Sequence, residues 1–152
     1  MKPVDIRREK VLQVPADVLW QIIEPAETLP SWLPMCERCE IVSGAGRGRK
    51  QRMYVRWGSR AAEIDQEVVE YLPASRLSWR HLEERLDGKP APKISREVTV
   101  TVDLEPAGSG TRMVLTSHHI PSGAFGSLLL RLVGGPRIRK SFDQALARLS
   151  EM

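Results

Sequence analysis

Apolar and polar positions alternate with a period of two along much of the first 120 residues, and a period of three to four takes over after Ser122. Val4 to Val14 reads as a first strand. Pro15-Ala16-Asp17 then opens a short helix carrying Val18, Leu19, Ile22 and Ile23, which Pro25 stops. Breaks at Pro25, Pro30 and Pro34 leave room only for a short helical turn around Trp32. Glu40-Ile41-Val42 leads into a strand, and the glycines from Gly44 to Gly48 read as a hairpin turn, since they lie between strand-like segments and not before a helix.

Lys50 to Glu67 gives the clearest hairpin, turning at Gly58-Ser59 with glycine first, as a type II′ turn requires. That turn sets Trp57 opposite Arg60, Val55 opposite Ala62, Met53 opposite Ile64, Arg52 opposite Asp65 and Lys50 opposite Glu67. One face becomes apolar and the other a ladder of opposite charges. Three more strands follow, marked by Leu77, Trp79 and His81; by Val98, Val100, Val102 and Leu104; and by Met113, Leu115, Ser117 and His119. From Ser122 to Met152, Phe125, Leu128, Leu129, Leu132, Ile138, Phe142, Leu146 and Leu149 recur at helical spacing. Gly134-Gly135-Pro136 should kink or break that helix.

The expected class is therefore α+β: a curved antiparallel β-sheet wrapped around one long C-terminal α-helix, with two short helices after the first strand. Two surfaces that curve apart leave space between them, so a cavity lined by apolar side chains and a few polar ones is expected. The inward positions by alternation are Met53, Val55, Trp57, Trp79, Val100, Met113 and Leu115, with Leu129 and Val133 on the helix. His81, Ser117 and His119 fall on the same inward faces, where a polar group must find a partner or a ligand. The competing reading makes the apolar positions plain core and the polar ones hydrogen-bonded structure.

Composition narrows this picture little. The chain has 152 residues, 41% hydrophobic and 28% charged, without low-complexity runs, and reads as a single folded domain over 1–152. No segment has the length of a membrane span and the N-terminus has no apolar signal region, so a cytoplasmic location is expected. The net charge of +4 permits an acidic partner. The basic run Arg47, Arg49, Lys50, Arg52 is largely matched by carboxylates across the hairpin, so nucleic acid is not an expected partner.

Candidate chemistry starts with Cys36 and Cys39. A zinc site needs two further ligands, and only His81, His118 and His119 could supply them. A thioredoxin-like redox pair wants its first thiol at a helix start, whereas this one precedes a strand. Two reduced cysteines are the expectation, with no metal and no cofactor. Paired carboxylates, a Ser/His/Asp order and a phosphate-binding loop do not stand out, so no catalytic residue is assigned.

Three blocks resemble the START-related, Bet v 1-like helix-grip superfamily, which includes polyketide cyclase/dehydrase-like and lipid-transport-like members. They are VLQVPADVLWQIIEPAETLPSWLP (Val11 to Pro34), VVEYLPASRLSWR (Val68 to Arg80), and GSGTRMVLT (Gly108 to Thr116) followed by the closing helix. The resemblance implies a deep pocket between sheet and helix with its mouth near the helix start, and places Trp32, in the family's Pro-x-Trp element, beside it. It implies a protein that binds a hydrophobic small molecule or lipid for sequestration or transport. An aromatase/cyclase acting on a polyketide-like chain, with His81 or His119 moving a proton, is the alternative, and a ribosome- or nucleic-acid-associated protein a third. Ligand identity and oligomeric state are not legible.

Overall fold

The computed structural model describes residues 2–152, the side chain of Trp57 excepted. Its elements are β1 (Val4–Leu12), α1 (Ala16–Ile23), a 3-10 turn (Ala26–Thr28), α2 (Leu29–Trp32), β2 (Cys36–Ser43), β3 (Lys50–Trp57), β4 (Arg60–Leu72), β5 (Arg76–Leu86), β6 (Lys89–Pro90), β7 (Ser95–Ala107) and β8 (Gly110–Pro121). The chain then closes with α3 (Ala124–Leu129), a π-turn (Leu130–Gly134) and α4 (Gly135–Ser150). The sheet is antiparallel in the order β1-β8-β7-β5-β4-β3-β2, with β6 hanging on β5.

Short connections dictate most of this order, because a tight turn between alternating segments can only fold a strand back on its neighbour. Gly58, with φ of +62°, occupies the left-handed conformation that the β3–β4 turn needs. The register of that hairpin is the one the charge ladder requires: Met53 faces Ile64, Arg52 faces Asp65 and Lys50 faces Glu67. Arg52 Nε donates to Asp65 Oδ1 at 2.8 Å, and Arg85 on β5 donates to the same carboxylate at 3.0 Å.

Leu12, Leu19, Ile23, Trp32, Val68, Leu77, Trp79, Val102, Met113, Leu115, Phe142, Leu146 and Leu149 belong to one continuous buried cluster between the concave face of the sheet, the short helices and α4. Leu77, Val102, Met113 and Leu149 are wholly out of water there. Each such side chain contributes about 1.5–3 kcal/mol.

The kink at Gly134-Gly135-Pro136 takes a defined form. Gly135 N–H bonds to Leu130 O, five residues back, so the helix widens by one residue just before the proline. Pro136 has no N–H to give and its ring crowds the preceding turn, and a wider turn relieves both. The widening also corrects two expectations. A regular helix would carry one apolar stripe inward throughout, whereas Phe125, Leu128 and Leu132 are 73%, 52% and 67% exposed. Val133, expected to face inward, is 46% exposed, because the π-turn rotates it off the buried face. The first strand ends at Leu12, short of the expected Val14, whose carbonyl instead accepts from Thr111 Oγ1 at 2.7 Å.

Candidate functional site: the polar band of the concave face

Strand parity carries most of the expected residues inward. Met53, Val55, Trp79, Met113 and Leu115 are buried in the core cluster, as is Trp32 on α2. Val100 packs partly buried against it, and Leu129 on α3 is half-buried. Trp57 ends β3 opposite Arg60, and its side chain lies outside the described residues. Ser117 and His119 are buried on β8, and His81 is partly buried on β5.

The three polar residues belong to a larger array that alternation alone does not reveal. Arg49, just before β3, and Gln51 and Gln66, inward on β3 and β4, are 3%, 1% and 4% exposed. Arg49 donates from Nη1 to Glu24 Oε1 at 2.9 Å, from Nη2 to Glu24 O at 2.8 Å and from Nε to Gln51 Oε1 at 3.2 Å. Gln51 Nε2 in turn donates to Gln66 Oε1 at 2.8 Å, and Tyr71 donates its hydroxyl to Glu24 at 3.2 Å. Gln66 lies directly across from His81 in the β4–β5 ladder. On the other side Val98 of β7 faces His119. A polar band thus runs across the concave face from Glu24 to His119, towards the end of the sheet where α3 begins.

A bulge supplies the acidic partner of His81. Ile64 pairs with Glu84 and Gln66 with His81, so β5 spends one residue more than β4 over that step. Residues 81 and 84 would fall on opposite faces of a regular strand; the extra residue puts both on the concave side, with Glu84 at its exposed margin. His81 Nδ1 and Glu84 Oε1 are 3.3 Å apart. The His81 hydrogen bond leads the effects that hold the Glu84 carboxyl below its usual range, against the opposing effect of burial. In the neutral ring, a hydrogen bond to an ionised Glu84 places the proton on Nδ1 and leaves Nε2 as the free pole.

His119 is held differently. Its Nε2 is 2.6 Å from Ser117 Oγ and its Nδ1 3.3 Å from Ser95 Oγ. Burial first, and then repulsion from His81 and His118, push it down to about 4. The imidazole is neutral at pH 7.

Among the described residues, four polar atoms bordering the interior have no protein partner: Trp32 Nε1, Trp79 Nε1, His81 Nε2 and Ser141 Oγ, the last on the buried face of α4. Two are indole N–H groups that can only donate. Leaving such a donor buried and unmatched costs about 1–3 kcal/mol. Trp79 and His81 stand two residues apart on the inward face of one strand, which makes their pair of free poles the natural place for an oxygen-bearing group. Hollows of about 470 and 220 Å³ among the described residues open outward, one between α4 and Arg8 of β1 and the other on the convex face of the sheet.

Cys36 and Cys39 are free, buried thiols. A register shift between Cys36 and Arg38 turns both into the core, opposite Val55 and Met53. Burial above all pushes each thiol up to about 12, so both are protonated at neutral pH. No group of three or more His, Cys, Asp or Glu side chains suited to a metal occurs among the described residues.

Compared with known proteins, residues 3–151 match the family model described as polyketide cyclase / dehydrase and lipid transport. No curated protein matches the sequence. Among solved structures, TTHA0849 from Thermus thermophilus is 22% identical, with 97% of this chain and 95% of that one aligned at a TM-score of 0.75. Ara h 8.0201 is 13% identical over 99% of this chain and 100% of that one, with a TM-score of 0.70. The major latex-like protein 151 of Panax ginseng is 10% identical over 93% and 97%, with a TM-score of 0.65. At such identities these likenesses speak for the fold.

Proposed function

Because the chain belongs to the polyketide cyclase / dehydrase and lipid transport family, within the START-related helix-grip superfamily, we propose that it binds a hydrophobic small molecule or lipid between the sheet and the C-terminal helix. The ligand's oxygen-bearing end meets the polar band at Trp79 and His81, and its apolar body replaces core contacts towards α3. The observation that carries this reading is the set of buried polar atoms without partners on the inward faces. A carbonyl oxygen accepts from the Trp79 indole, and a hydroxyl donates to His81 Nε2. Apolar area leaving water supplies the bulk of the affinity, at about 25 cal/mol per Å². Opening proceeds at the π-turn, where the helix is least regular.

Native mass spectrometry of protein purified from its own cells tests this. A bound species of lipid-like mass, lost on organic extraction and depleted in a Trp79→Phe variant, is expected. Protein carrying no small molecule, even after incubation with an organic extract of those cells, would count against it.

The His81–Glu84 pair favours one further reading, a cyclase acting on a polyketide-like chain. An imidazole oriented by a carboxylate through Nδ1 can take a proton at Nε2 from a carbon beside a carbonyl, and Trp79 can donate to the developing enolate oxygen. Turnover distinguishes the two. For a cyclase, His81→Ala abolishes product while ligand still binds; for a binding protein, no product forms with either chain. The basic run gives no support to a nucleic-acid partner, since Arg49 is buried on Glu24 and Arg52 is paired with Asp65.

A further inference from the structure

Twelve large hydrophobic residues are exposed among those described, and four of them fall within nine consecutive positions, Phe125, Leu128, Leu132 and Val133. A fifth, Ile94, is 43% exposed and sits against them, for a side chain at Gly126 would strike Ile94 O at 2.4 Å. The α3 and π-turn segment thus offers solvent one apolar surface built from two separate stretches of chain. Singly exposed hydrophobics need no explanation; a cluster of this kind marks a contact surface.

Its electrostatics restrict the occupant. From Pro106 to Phe142 the chain contains no Asp or Glu, while Arg131 stands inside the apolar stripe and Lys93 immediately precedes Ile94. Both cations are exposed, and Arg131 Nε donates to Ser127 Oγ at 3.3 Å. A second copy related by a twofold axis would press this patch onto itself and bring like charges together. An anionic, apolar-cored surface matches both features at once.

We propose that the Phe125–Val133 segment, with Ile94, docks on an anionic lipid surface, its apolar side chains entering the headgroup boundary and Arg131 and Lys93 meeting lipid phosphates. Docking would set the helix start, above the polar band, against the bilayer. The inference stands apart from what fills the interior.

Co-sedimentation with vesicles tests it. Wild-type protein is expected to pellet with vesicles of equal parts phosphatidylglycerol and phosphatidylcholine and to stay in solution with phosphatidylcholine alone. Raising the salt should release it. A Phe125→Asp/Leu132→Asp chain should lose about tenfold or more in partitioning, and an Arg131→Glu/Lys93→Glu chain should lose a comparable factor. Both pairs of side chains lie in water, so circular dichroism and melting should match wild type. A Trp79→Phe chain should pellet like wild type, which separates this surface from the interior site. Absence of wild-type pelleting, equal pelleting with both vesicles, or retention by either double variant would overturn the proposal. So would a dimer in sedimentation velocity that Phe125→Asp dissolves without any vesicle binding.

Discussion

His119 is a base that folding keeps uncharged. Its position at about 4, against an unfolded value of 6.5, means that the unfolded chain takes up the proton first as pH falls. The stability this neutral ring permits is therefore present above pH 6.5 and lost between 6.5 and 4, by about 3 kcal/mol over the window. In His119→Asn that part of the acid sensitivity should vanish. Urea unfolding at pH 7 and pH 4.5 checks it: the wild type should lose more stability than the variant between the two, and equal losses would show that the ring titrates normally. The ring's inward position was legible, because Met113, Leu115, Ser117 and His119 alternate. Its neutrality depends first on burial and then on repulsion from His81, which the fold brings over from β5, and from its neighbour His118, against the opposing pull of Glu84 and Asp5. The partner of His81 was illegible for a sharper reason. Glu84 is three residues away, the wrong parity for a regular strand, and nothing local in the sequence announces the bulge that corrects it.

At the scale of elements, the hairpin from Lys50 to Glu67 could be read to the residue, since a two-residue turn fixes register and the charges on one face confirm it. Gln51 and Gln66 share the parity of Met53 and Ile64 but were not among the inward positions read from the sequence. Their mutual bond was not legible either, because polar residues at two inward sites look like two defects until the strands are paired. The C-terminal helix shows the opposite case. Periodicity found it and its break, yet the π-turn changes which residues face the sheet, and Phe125, Leu128 and Leu132 turn outward. Amide hydrogen exchange should reflect this. Amides of the π-turn, Leu130–Gly134, are expected to exchange faster than those of Phe142 to Leu149, whose side chains lock into the core. Equal protection in both halves would remove the π-turn as the place where the structure opens.

For the molecule as a whole, the order of elements was enough to argue for a sheet gripping a helix, because a one-faced antiparallel sheet and one long amphipathic helix have few ways to bury each other. Resemblance in three blocks pointed the same way, and the family match over residues 3–151 agrees. What the interior holds is a matter of a few atoms. Trp79 was read as an inward strand residue and Trp32 as the tryptophan that the resemblance places beside the pocket, but only the assembled fold reveals that their N–H groups lack acceptors among the described residues. On the proposed reading binding energy and selectivity divide accordingly: apolar area would supply affinity, and unmatched donors would select a ligand that carries oxygen. The most direct measurement is the pair of indole N–H resonances of Trp32 and Trp79 in the nitrogen-15 spectrum, recorded before and after loading with an organic extract of the source cells. Gain of an acceptor should move the Trp79 resonance downfield and slow its exchange with water. Binding that leaves both indole signals where they began would contradict a ligand held at the polar band.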